Sequence, residues 1–364
     1  MSGKKSMPAL SLLLICVFCV VVPNAAIQAI SDEQAWHLVS EAFTEFENEN
    51  YQMALEMLDE QILGEIGDTF RASTGFAIRA LASLRIGQVD EALSAIVRSI
   101  ELDSEFADSF QILASVYMML ERYSDALQAI NRAIELDDQI LSFYVNRAIL
   151  YIYFRQYSNA LDDLNFVLGI NPQHSRALHE KAFVYINKGY LSEALSYADQ
   201  AISIVQSDSE FFGLRGAIHY DIGNHANAFM DFSRAIELGT PRPEVFTRRA
   251  CLHREMGNNH GALSDLNAAM LLSPGNYELY EQRFLIHMDL GNMLEAGADF
   301  FEILRLTAHE EYREDFVRNT MPVFRSFLRS IDSVMESASA AERAALEAIR
   351  PEVHDWIDRH QGWE

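Results

Sequence analysis

The chain has 364 residues, 49% of them hydrophobic and 22% charged, and a formal net charge of −25. That composition excludes wholesale disorder. The acidity excludes recognition of a phosphate backbone, which needs clustered Lys and Arg, and disfavours anionic lipid surfaces.

Lys4 and Lys5 precede an apolar run from Ala9 to Val22, followed by Pro23, Asn24, Ala25 and Ala26. A basic start, a short apolar core and small residues after a helix breaker make a secretory signal. Including the flanking residues up to Ile30 makes the stretch long enough for a tilted signal-anchor. Residues 1–30 are therefore read as a signal peptide or a signal-anchor. Both readings predict an exported body: periplasmic or secreted if the segment is cleaved, membrane-anchored otherwise. Cys16 and Cys19 lie in this stretch, which leaves Cys251 alone in the body, with neither a disulfide partner nor a CxxC pair for zinc.

From there one alanine recurs at a constant interval, at Ala92, Ala126, Ala160, Ala194, Ala228, Ala262 and Ala296; every step is 34. Twelve places before each stands Ala80, Ala114, Ala148, Ala182, Gly216 or Ala250, until Phe284 breaks the column. Glycine recurs five places before the alanine at Gly87, Gly189, Gly223, Gly257 and Gly291. Small residues on facing helices let two backbones approach, and glycine supplies the turn between them. Apolar residues at helical spacing, such as Phe76, Ala80 and Leu84, fill the inner positions. Pro172 and Pro274 punctuate two junctions between the resulting hairpins.

The stretches GQVDEALSAIVRSIELD at Gly87, ERYSDALQAINRAIELDD at Glu121 and RQYSNALDDLNFVLGINP at Arg155 resemble the second half of a tetratricopeptide repeat. Seven repeats are predicted over residues 73–306, after a divergent first repeat and linker over 31–72 centred on Ala54. The spacing from Ala54 to Ala92 is 38, so four extra residues separate that repeat from the array. The resemblance implies an all-α, right-handed superhelical solenoid of antiparallel hairpins, with the first helix of each repeat lining the concave face. Residues 307–364 lose the period. Phe316, Val323, Phe327 and Ile331 still recur at helical spacing, and Ser339 with Glu342 forms a capping-box pattern before another helix. These helices are read as a cap over the last hairpin, with Pro351 ending the second one before a short tail that carries Trp356 and Ile357.

Three columns are candidate sites. Arg79, Arg147, Lys181, Arg215, Arg249 and Arg283 form a basic stripe, yet Asp163, Asp231, Asp265 and Asp299 occur in four of the repeats whose stripe residue is Arg. That pattern predicts bidentate Arg–Asp pairs between the two helices of a repeat rather than an anion site. His219, His253 and His287 share one place in successive repeats, too far apart for one zinc ion, and predict a packing ladder. No nucleophile elbow, phosphate loop, HExxH or zinc-finger spacing occurs. The sequence therefore points to no catalytic residue, metal or cofactor.

The remaining candidate is the groove. Met118, Met119, Asn146, Ile149, Ile152, Tyr153, Arg176, Phe183 and Ile186 map to the concave side of the first helices and are predicted to bind a partner. Later repeats place Asp221, Glu244, Glu255, Glu278 and Asp289 there instead. The tetratricopeptide modules that clamp the carboxylate of chaperone tails are a related case. YVNRA at Tyr144 resembles the middle of that clamp through Asn146, and Arg176 stands in for a lysine. Gln111, Ser115 and Glu180 depart from it, and Glu180 repels a carboxylate. The expected function is an interaction scaffold that binds a peptide or helix of another protein, basic or with apolar anchors, in the groove. The alternative is an envelope assembly factor acting through its ends or convex face.

Overall fold

The computed structural model describes residues 31–307 and 314–360; the signal or anchor reading of residues 1–30 lies outside them. Nineteen α-helices and no strand occur among the described residues. In chain order they are α1 (Asp32–Glu47), α2 (Tyr51–Met57), α3 (Glu60–Gly64), α4 (Thr69–Arg85), α5 (Val89–Leu102), α6 (Ala107–Met119), α7 (Tyr123–Leu136), α8 (Leu141–Tyr153), α9 (Tyr157–Ile170) and α10 (Ser175–Asn187). Then come α11 (Leu191–Ile204), α12 (Ser209–Asp221), α13 (His225–Glu237), α14 (Pro243–Glu255), α15 (Asn259–Leu272), α16 (Tyr277–Leu290), α17 (Met293–Leu306), α18 (Glu314–Met335) and α19 (Ala340–His360). The described residues divide into two compact units, one ending at Leu150 and the other beginning at Tyr151.

In the first unit α1 and α2 form one hairpin, followed by the hairpins α4–α5 and α6–α7. The second unit stacks α10–α11, α12–α13, α14–α15 and α16–α17, each second helix resting on the next first helix. The spacing of small residues explains why these helices pair. Ala54 and all seven alanines of the recurring column are 0% exposed, so the column lies wholly inside helix contacts. Gly216 replaces alanine in the facing column because Phe232 fills the gap: a Cβ there would sit 2.7 Å from the Phe232 ring.

All eight intra-repeat turns adopt a left-handed residue at one register: Glu49, Gly87, Glu121, Arg155, Gly189, Gly223, Gly257 and Gly291. That conformation costs a residue with a Cβ about 1–2 kcal/mol, and glycine nothing comparable. The substitutions Glu121→Gly and Arg155→Gly are therefore expected to raise stability by about 0.5–1 kcal/mol each, the relief of strain being partly offset by glycine's larger unfolded-state entropy. The gain would be read as a higher urea midpoint at unchanged slope.

The C-terminal helices close the second unit. Phe284 and Phe300 of the last hairpin meet Phe324 and Phe327 of α18 with ring centroids 4.8–6.1 Å apart, and Trp356 of α19 stands edge-on to Phe324 at 4.8 Å. This cluster explains why Phe284 breaks the small-residue column: it reaches into the helices that follow instead of into another repeat. A Cβ on Gly297 would collide with Ile349, so this glycine admits α19 onto α17. Residues 308–313 and the side chain of Phe316 lie outside the described ones.

Pro351 does not end a helix. Helix α19 runs through it to His360, and Trp356 and Ile357 are core residues (0% and 6% exposed), not a tail. Proline deprives the carbonyl four residues earlier of its hydrogen bond. That residue is Glu347, which is exposed, so its carbonyl is lost to the ladder at a solvent-facing turn, and burial of Val353, Trp356 and Ile357 outweighs the loss. The capping box before α19 forms as expected, with the Glu342 amide donating to Ser339 Oγ at 3.3 Å and the Ser339 amide donating to Glu342 at 2.9 Å.

Candidate functional site

Two sets of polar contacts define the chemistry of the first helices, and the basic stripe supplies one of them. Arg215 donates to both oxygens of Asp231 at 2.8 and 2.7 Å, Arg249 to both of Asp265 at 2.8 and 2.6 Å, and Arg283 engages Asp299 at 2.6 and 3.1 Å. The three aspartates are 1–5% exposed. The Asp231 hydrogen bonds hold the Arg215 guanidinium above its usual range, more than offsetting burial. Three of the four pairs expected from the sequence, those with Asp231, Asp265 and Asp299, thus form as bidentate forks.

Each cation also reaches the second helix of the preceding repeat. Arg147 donates to Asn131 (3.0 Å), Lys181 to Asn165 (2.6 Å), Arg215 to Asp199 (2.9 Å), Arg249 to Ser233 (3.1 Å) and Arg283 to Asn267 (2.6 Å). The stripe is a row of clasps that ties repeat to repeat. Arg79 differs: its Nη1 donates to the carbonyls of Leu55 and Leu58, capping the C-terminal end of α2.

The histidine ladder borders these clasps. Nε2 of His219 lies 4.0 Å from Asp231, and Nε2 of His253 lies 3.8 Å from Asp265. The amide of Asn258 donates to His253 Nδ1 at 3.0 Å, which puts the ring proton on Nε2, the side of the aspartate. Burial pushes the His287 imidazole below its ordinary value despite Asp299. Among the described residues no three His, Cys, Asp or Glu side chains are grouped to hold a metal ion.

The second set laces the solvent-facing sides of neighbouring first helices in the second unit. Arg176 of α10 pairs with Glu180 (2.7 Å) and with Glu210 of α12 (2.7 Å), and Arg242 reaches Glu210 at 2.9 Å. Burial alone would raise the Glu210 carboxyl, but Arg242 and Arg176 hold it down to about 2. A carboxyl depressed from 4.5 to about 2 contributes stability above pH 4.5 and loses it as the pH falls towards 2. Glu210→Gln is expected to cost about 1–2 kcal/mol at pH 7, discounted for partial exposure. It should also flatten the acid limb of a stability–pH curve over that interval. Further along, Arg248 pairs with Asp221 (3.1 Å), Arg254 with Asp289 (3.0 Å) and His225 with Glu255 (2.8 Å). Glu244 and Glu278 have no such partner among the described residues.

The nine groove candidates fall in both units and none is fully buried. In the first unit Met118 packs against the cluster that holds Phe143 and Leu150, Met119 is 59% exposed, and Asn146 and Ile149 are half-buried. In the second, Ile152 is half-buried, Tyr153 is 56% exposed with its ring edge-on to Phe154, and Phe183 is 38% exposed. Ile186 packs beside Ala182 and Ile218. The Arg176 guanidinium is occupied by Glu180 and Glu210.

Residues 79–139 and 175–206 match models of the tetratricopeptide repeat. The chain carries tetratricopeptide repeats. A crystal structure of a tetratricopeptide repeat protein from Parabacteroides merdae aligns with 69% of the chain over 98% of its own length, at a TM-score of 0.55 and 18% identity. The APC/C hetero-tetramer Cut9-Hcn1 aligns with 74% of the chain over 53% of the matched chain, at 0.60 and 15%. At these identities the likeness concerns the fold. No curated protein sequence matches the chain.

Within the tetratricopeptide array, sequence reasoning missed the acceptor column Asn131, Asn165, Asp199, Ser233 and Asn267. Its signal was present: a short polar acceptor in five successive repeats, each 16 before the basic residue of the next. It also missed that Asn258 and Asn292, one place after the left-handed turn glycine, orient the histidines of the ladder.

Proposed function

We propose that the chain is a protein–protein interaction scaffold, exported by its N-terminal segment, that binds an apolar peptide or helix on the exposed faces of its first helices. Tetratricopeptide repeats mediate contacts between proteins, and no described helix is long and apolar enough to cross a membrane. The observation that carries the reading is the exposure of Tyr153 and Phe183, both on first helices, in the second unit's residue range; Met119 is exposed likewise in the first. Among the later places on the first helices, Asp221, Glu255 and Asp289 are taken up by intrachain ion pairs. Large apolar side chains left in water at such places favour a partner that covers them.

The test is affinity capture with the full chain beside the triple variant Ile152→Ser, Tyr153→Ala and Phe183→Ala, once both show the same helical circular dichroism. A specific protein held by the native chain and lost by the variant supports the reading. Equal capture by both moves binding away from these residues. Export is tested by fusing the N-terminal segment through Ser40 to a reporter active only outside the cytoplasm; an inactive fusion removes that part of the reading.

A further inference from the structure

The four residues that interrupt the period before Ala92 build a surface of their own. They place the short helix α3 beside α4, where Leu63 is 1% exposed and packs among Leu58 and Val39. Gly75 makes the notch for it: a Cβ at that position would collide with Leu63. Helix α3 is thereby anchored as a fixed wall. Between it and α5 lies an open cleft of about 570 Å3.

The floor of the cleft is Phe76, Leu93 and Val97. Val97 occupies the column that holds Asn131, Asn165, Asp199, Ser233 and Asn267 in later repeats, and Leu113 takes the place of the basic residue that would reach back to it. One clasp has thus been exchanged for apolar residues, and Val97 remains 42% exposed at the cleft. The rim is acidic. Arg98 is held by Glu101 at 2.9 Å, while Glu60 on α3 and Asp90 on α5 have no ion-pair partner among the described residues.

We propose that this cleft is a second docking site, distinct from the first-helix faces, that takes a Lys- or Arg-bearing amphipathic segment of a partner protein. A long basic side chain lays its methylenes on Leu93 and Val97 and its charge between Glu60 and Asp90. An apolar floor with two unpaired carboxylates at its edges matches that combination in both shape and charge.

The experiment is calorimetric titration of the full chain, at about 0.15 M salt so that long-range attraction is screened, with a synthetic helical peptide of leucine and lysine. Parallel titrations use a leucine–glutamate peptide and spermidine. Nothing lies within 4 Å of a Cβ built at Gly64, so Gly64→Trp plugs the cleft from one wall, and Ser94→Trp plugs it from the other in case the first variant fails to fold. The expected result is micromolar binding of the basic peptide alone, weakened about tenfold or more by either plug and by Glu60→Gln with Asp90→Asn, and unchanged by Phe183→Ala. The proposal is overturned by any of four outcomes: no binding, equal binding of the acidic peptide or spermidine, indifference to both plugs, or loss on Phe183→Ala. Since the plugs leave the first-helix faces untouched, failure here is separable from failure of the groove reading.

Discussion

Trp356→Ala is expected to destabilise the C-terminal end by about 3–5 kcal/mol, the range for deleting a fully buried aromatic ring. Trp356 is 0% exposed, meets Phe324 at 4.8 Å, and joins α19 to a cluster that contains Phe284 and Phe300 of the last hairpin. In a repeat array each element leans mainly on its neighbours, so the loss should not spread evenly. Hydrogen exchange should accelerate first in α18 and α19, then in α16 and α17, with α10–α13 protected as before. A single cooperative loss of protection over the whole second unit would show that the aromatic cluster is not a local cap.

Asp265→Ala is expected to cost about 3 kcal/mol. Asp265 is 4% exposed and accepts both forks of Arg249, while His253 lies on its other side. Removing the carboxylate strands a largely buried guanidinium, a change that typically costs about 3–5 kcal/mol. Removing both charges together recovers much of the loss, because two apolar groups of similar volume need no compensation. The combined variant Arg249→Met with Asp265→Leu should therefore lie well above the single aspartate variant in urea denaturation. Equal stability of the two would mean that the clasp to Ser233, which Asp265→Ala spares, is the stronger contact.

The repeats were legible because their cause is periodic and local. An alanine at so constant an interval can mean little except a recurring close contact, and every one of those alanines is fully buried. The Arg–Asp pairs were legible for the same reason, since aspartate occurs only in repeats whose stripe residue is Arg. Pro351 misled because a local rule was applied where packing decides: one missing hydrogen bond at an exposed turn weighs less than burial of Trp356. The groove candidates were legible as places in a repeat but not as an environment. Arg176 reads as a free cation along the chain, and its partner Glu210 stands one full repeat away, in the same column of the next first helix. The cleft beside α3 left only a trace, four residues out of register, since its walls are held by Leu63 against a glycine twelve positions later.

Spacing and side-chain size, acting over a few tens of residues, dictate the helical hairpin, its period, its turn register and the pairing of charges within a repeat. All of these can be read along the chain because each needs only the residues of one repeat. Stacking settles the rest: which charges bridge successive repeats, which end is sealed by aromatic packing, and where apolar side chains stay in water. Those outcomes depend on neighbours that come within reach only when one hairpin rests on the next.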